Sequence, residues 1–167
     1  MRPIDLTNKT KIELDNLLDN YRRKGMTKNP VFLEAMQRRE ALYGKTLDFD
    51  RTLEAIRQSA KEGVCLSYDD VAVRTGATVS KLHNQLSAHL LRLVEYGKAK
   101  GWPMVTSVVV NKKNVATGEM DAAALEGFMR AAVAHEYLDE EVEPEALAAF
   151  VREQQEKTFE WAKSQPE

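Results

Sequence analysis

Apolar residues recur at three- and four-residue steps along most of the chain, and that spacing predicts a protein built mainly from helices. In TKIELDNLLDNYRRKG, Ile12, Leu14, Leu17, Leu18 and Tyr21 keep the helical period. Thr10 with Glu13 makes a capping box ahead of it, and Gly25 supplies a stop. Pro30 opens a second helix with Phe32, Leu33, Met36 and Leu42 on its apolar side and Gly44 at its end. The two form a helical hairpin joined by MTKNP, and its arginines, Arg22, Arg23, Arg38 and Arg39, are expected on solvated faces. A third helix, FDRTLEAIRQSAKEG, starts at Asp48 or Asp50 as cap and ends at Gly63, with Leu53, Ile56 and Ala60 inward.

The run VCLSY is too short for a helix and reads as a brief strand or an extended entry. Two helices follow in YDDVAVRTGATVSKLHNQL, the second running from about Thr78 to Gly97 or beyond on Leu82, Leu86, Leu90, Leu93 and Val94. Asp69 and Asp70 sit where carboxylates stabilise a helix N-terminus. Trp102 and Pro103 break the helical pattern, and MVTSVVVN carries the strand signal, with KKNVATGEM as a turn into a returning strand. Asp121 caps another helix through DAAALEGFMRAAVAHEYL. The last helix has Pro144 in its first turn and Leu147, Phe150, Val151 and Phe159 as its stripe. The expected fold is mainly α: a winged-helix-like core with a small β element and flanking N- and C-terminal helices. Its divisions are a helical hairpin or arm over 1–46, the core over 47–136 and an acidic C-terminal helix over 137–167.

The central pair of helices has the frame of a helix-turn-helix. Ala72 is the small residue where the first helix touches the second, Gly76 tolerates a left-handed turn, and Val79 and Leu82 pin the second helix. Thr78, Ser80, Lys81, His83 and Asn84 are left facing outward, a set of hydroxyls, amide, imidazole and ammonium suited to phosphates and base edges. The segment DVAVRTGATVSKLHNQL resembles the helix-turn-helix of LacI-type bacterial repressors, with Ala72, Gly76 and Leu82 on the three structural positions. It departs from them at Ala77-Thr78, where Val-Ser is usual, and in the length of the second helix. The strand expected after that helix makes the wider arrangement similar to a winged helix. In such an arrangement Arg74, Lys112 and Lys113 would engage the flanking phosphates; the NKKN turn stands where a wing tip would be, and equally suits a solvated turn.

A weaker resemblance links GVCLSYDDVAVRTG and GWPMVTSVVVN to the winged-helix half of the O6-alkylguanine DNA alkyltransferases. That family has a Pro-Cys-His-Arg nucleophile motif just after its recognition helix, where this chain has neither Cys nor His. The resemblance therefore implies shape and not alkyl transfer. Cys65, in an apolar run with no His beside it, reads as a buried core thiol.

Charge changes the picture only when it is divided along the chain. The net charge of the 167 residues is −2. Residues 51–113 carry ten Lys/Arg against five Asp/Glu, whereas residues 114–167 carry four against thirteen. The helix-turn-helix thus lies in the basic middle, and screening makes that local field the one a polyanion meets. With 43% apolar residues the chain can bury a core. The opening MRPIDLTNKTKIELDN is polar, so no secretory signal is expected, no apolar run is long enough to span a membrane, and a lone cysteine suits the reducing cytoplasm.

Catalytic and metal chemistry finds little support. His83, His89 and His135 lack metal-ligand spacing, HEYLDEE lacks the second His of a zincin, and neither GxxxxGK[ST] nor GxGxxG occurs. Asp139, Glu140, Glu141, Glu143 and Glu145 lack the spacing and Gly of an EF-hand and read as a solvated acidic loop. Trp102 and Trp161 are expected in packing roles rather than as stacking platforms. No catalytic residue, metal ligand or cofactor is assigned. The expected function is a non-enzymatic DNA-binding protein, a bacterial or phage regulator with duplex DNA as partner, whose hairpin over 10–44 offers a homodimer or partner surface. The alternative is a protein-interaction module, an inhibitor, adaptor or structural subunit of winged-helix shape with an acidic binding surface.

Overall fold

The computed structural model describes residues 4–43, 47–75 and 83–166. The chain is mainly helical with one small sheet. In order it forms α1 (Lys11–Arg23), α2 (Pro30–Tyr43), α3 (Phe49–Lys61), β1 (Leu66–Ser67), α4 (Tyr68–Arg74), α5 (His83–Lys100), β2 (Val109–Val110), α6 (Ala122–Ala134) and α7 (Pro144–Ser164). Short 3-10 turns cover Val105–Val108 and Lys112–Asn114.

Local chemistry sets most of the helix starts. Thr10 and Glu13 close the expected capping box on α1, each side chain bonded to the other residue's backbone N–H. Asp48, not Asp50, caps α3, accepting from the Arg51 N–H at 2.8 Å. Ser67 and Asp70 make a second capping box on α4, which fixes the turn from β1 into that helix. Asp121 caps α6, accepting from the Ala124 N–H at 3.0 Å. Pro144 stands in the first turn of α7. Beyond Gly97, as the spacing allowed, α5 continues to Lys100 and stops at Gly101, where φ is +75°.

The strand region differs most from the sequence expectation. Residues 104–110 are all buried, but only Val109 and Val110 pair, in parallel, with Leu66 and Ser67. The reason lies in α7. The Met104 N–H donates to Gln154 Oε1 at 2.8 Å, and Gln155 Nε2 donates to the Ser107 and Gly118 carbonyls at 2.9 and 2.7 Å. Helix side chains have taken the partners that a neighbouring strand would supply. The sheet therefore has two strands, and residues 115–121 form turn and coil rather than a returning strand; no antiparallel wing hairpin occurs among the described residues.

One buried apolar cluster runs from Leu6 and Leu14 through Phe32, Ile56, Leu66 and Leu93 to Val108 and Trp161. A smaller one joins α5, α6 and α7 through Val94, Met104, Phe128, Ala132 and Val151. Leu147 and Val151 of the expected α7 stripe are buried and Phe150 and Phe159 half-buried, but the same face also buries Gln154, Gln155 and Thr158. Replacing Gln155 with Met should cost about 2 kcal/mol, because two buried carbonyls lose their donor. Urea unfolding measures this, and a variant as stable as the parent would contradict the assigned bonds.

The hairpin arginines are not simply solvated. Arg22 Nε and Nη2 form a bidentate pair with Glu95 of α5 at 2.5 and 2.8 Å. Arg39 Nε bonds Asp15 and its Nη1 bonds Glu40, both at 2.9 Å. Ion pairs thus tie α1 to α5 and α1 to α2, with Glu40 also meeting Arg92 of α5.

Candidate nucleic-acid interface

Pairing of β1 with β2 decides which basic residues meet. Ser67 is aligned with Val110, so the N-terminus of α4 lies beside the turn that carries Lys112 and Lys113. Arg74 ends α4 and is exposed, as are Lys112 and Lys113. The Ser67 hydroxyl and N–H hold the Asp70 carboxyl below its ordinary value, and Arg74 and Lys112 add to the effect. Both cations therefore stand in the field of one carboxylate. The side chains of Arg74, Lys112 and Lys113 make no ion pair or hydrogen bond among the described residues.

Ala72 of α4 is buried. Leu86, Leu90, Leu93 and Val94 seat α5 in the core. Gly76, Thr78, Val79, Ser80, Lys81 and Leu82 lie outside the described residues. His83 and Asn84 are the first two residues of α5, and only their backbone is described. The structure brings Arg74 and Lys112 together and leaves the expected base-reading set undescribed.

Two depressions flank this region. Beside the Lys112–Lys113 turn is a groove of about 540 Å³, lined also by Val64, Cys65, Val115 and Phe159. Cys65 is buried as expected, and burial pushes its thiol pKa up, away from nucleophilic character. Between α5 and α6 is an apolar groove of about 190 Å³, lined also by Tyr68 and Ser87. Burial raises the Tyr68 hydroxyl pKa, with Asp121 contributing.

The acidic residues Asp139, Glu140, Glu141, Glu143 and Glu145 are all exposed on the segment before and into α7. Among the described residues no group of three or more His, Cys, Asp or Glu is arranged to hold a metal, and no helix is long and apolar enough to cross a membrane.

Sequence reasoning missed one buried polar site altogether. His89 of α5 is fully buried, and its Nε2 lies 2.8 Å from Thr52 Oγ1. The Thr52 hydroxyl donates its hydrogen to the Asp48 carbonyl at 2.8 Å, so it accepts from His89 Nε2–H. Nδ1 is then a bare acceptor, buried and without a hydrogen-bond partner among the described residues. Burial, then Arg92, depress the pKa to about 4 against the opposing pull of Asp48. The only sequence signal is the placement of His89 on the apolar face of α5, three residues after Leu86 and four before Leu93. The chain matches no family model, no curated protein and no solved structure.

Proposed function

We propose that this is a non-enzymatic DNA-binding protein, a bacterial or phage regulator that reads duplex DNA with the helix starting near Thr78. The supporting observation is that Arg74 and Lys112, drawn from different elements, are exposed, share one neighbourhood and have no ion-pair partner among the described residues. Five other arginines, Arg22, Arg39, Arg57, Arg92 and Arg130, are instead drawn into ion pairs with carboxylates. Cations kept free in this way suit phosphate binding, with Thr78, Ser80, Lys81, His83 and Asn84 in the base-reading role.

In mobility-shift titrations, duplex affinity should fall steeply with added salt. Lys112→Ala with Lys113→Ala should weaken binding to all sequences alike and flatten the salt slope by about 1 for each phosphate that is no longer neutralised. Lys81→Ala with Asn84→Ala should instead remove the preference between sequences. Absence of any shift at low salt would end this reading.

A protein-interaction module is the second reading, and a different observation favours it. Val73 of α4 and Leu91 of α5 are large apolar residues left 65% and 46% exposed on the same pair of helices. Nuclease treatment of a native-lysate pull-down separates the two: a partner retained without nucleic acid supports protein recognition.

A further inference from the structure

The groove between α5 and α6 combines apolar walls with two hydroxyls that the fold leaves unused. Leu90, Val94, Met104 and Phe128, all buried, make up its inner walls, and the exposed Leu91 stands at its open side. Thr106 and Tyr68 line it as well. Thr106 is only 7% exposed, yet its hydroxyl is neither hydrogen-bonded nor sealed within protein among the described residues. The Tyr68 hydroxyl makes no hydrogen bond among the described residues either, although burial raises its pKa. A hydroxyl withdrawn from bulk water without a partner costs stability, so two of them on one groove point to a molecule that meets them.

We propose that this groove binds a small neutral molecule of one ring and one hydroxyl, the size of phenol, with its ring against Leu90, Val94 and Phe128 and its hydroxyl bonded to Thr106. Tyr68 supplies a second polar contact. The volume of about 190 Å³ suits such a molecule, since a cavity of about 150 Å³ lined by Leu, Ile and Phe is enough for benzene. The head is neutral because none of the described residues lining the groove is charged. A carboxylate would be desolvated there with no cation to meet it, and Asp121, close enough to help raise the Tyr68 pKa, would repel it. A ligand hydroxyl both donates and accepts, as the Thr106 hydroxyl does, so the pair can bond in either sense.

The site has no signature along the chain because four segments build it. Tyr68 opens α4, Thr106 lies in the turn ahead of β2, and the walls come from α5 and α6. Apolar surround with a few placed polar groups is the usual make-up of a small-molecule site. The inference does not depend on DNA binding, and its test uses the full chain without nucleic acid.

An NMR titration of the full chain at pH 7 with phenol up to about 10 mM covers the affinity that a ligand this small reaches. Phenol should shift the methyl resonances of Leu90, Val94 and Met104, and benzoate should not. Thr106→Val should weaken phenol about fivefold, the effect of one lost hydrogen bond, and leave toluene, of the same shape without the hydroxyl, unchanged. The thermal midpoint of that variant without ligand should hold or rise, because no bond within the fold is lost. Tyr68→Phe, which keeps the ring, should weaken phenol further when added to Thr106→Val. The proposal is overturned if phenol produces no shifts up to about 10 mM, if its shifts fall elsewhere in the fold, or if benzoate binds as tightly. Undiminished phenol binding by the double variant overturns it as well.

Discussion

Replacing Glu40 with leucine is expected to remove about 3 kcal/mol of stability, at the lower end of the loss seen when a buried ion pair is broken from one side. Glu40 is 5% exposed, and a single oxygen, Oε1, accepts a hydrogen bond from Arg39 Nη1 at 2.9 Å and forms an ion pair with Arg92, whose Nε lies 2.7 Å away without hydrogen-bonding geometry. The other oxygen is buried without a hydrogen-bond partner among the described residues. Arg39 keeps Asp15 when Glu40 is removed, but Arg92 loses the carboxylate that holds it between α2 and α5. Arg92 retains partial access to water, which limits the loss. Urea unfolding followed by tryptophan fluorescence is a suitable measurement, because Trp102 and Trp161 pack with ring centroids 4.9 Å apart in the core. Adding Arg92→Met to Glu40→Leu should recover most of the stability, because the half-buried cation left without its carboxylate is then gone as well. A Glu40→Leu protein within about 0.5 kcal/mol of wild type would show that the cluster is not coupled to folding.

The second large effect is a loss of stability on mild acidification. His89 is neutral in the fold, with its pKa pushed down to about 4 from an ordinary 6.5. The unfolded chain therefore takes up a proton as pH falls through 6.5, while the folded chain resists until about 4. Stability is full above 6.5, declines between 6.5 and 4, and loses no more to this residue below that. The total from His89 is about 3 kcal/mol, following from the size of the displacement. His135 is shifted in the same direction by burial and adds to the slope. The carboxylates held below their ordinary values, Asp70 among them, act in a lower window, losing their contribution only as they protonate. Unfolding free energy measured from pH 7.5 to 4 should thus fall for the wild type. His89→Gln should start less stable yet show a much shallower slope. An equally steep slope in that variant would place the proton uptake elsewhere.

The helices themselves are legible from residue spacing and end chemistry. Thr10 with Glu13, Asp121 and Pro144 each mark a helix start through groups within one turn, so the local sequence carries all the information needed. Ala72 and the leucines of α5 likewise announce two helices with buried inner faces. The strand expected at 104–111 shrinks to two residues because its valines satisfy a local β preference while its backbone partners come from far along the chain. Gln154, Gln155 and Thr158 look like ordinary polar helix residues until α7 is laid against residues 104–118.

The same distinction runs through the candidate sites. The spacing of Ala72, Gly76 and Leu82 raises the helix-turn-helix, and the basic residues named with it can be read one by one. That Arg74 and Lys112 stand around one carboxylate follows only from the parallel alignment of Ser67 with Val110. The arginines of the hairpin look solvated in the sequence because their partners, Glu95 on α5 and Asp15 across the hairpin, are remote from them along the chain. His89 shows no motif, since a buried imidazole is defined by what surrounds it and Thr52 comes from another helix. By itself the sequence determined the helices, their caps and the segregation of charge, because those depend on neighbours within a few residues. The tertiary structure alone decided which polar groups are buried, which arginines are drawn into ion pairs and where an apolar groove remains open, because each depends on segments that only folding brings together.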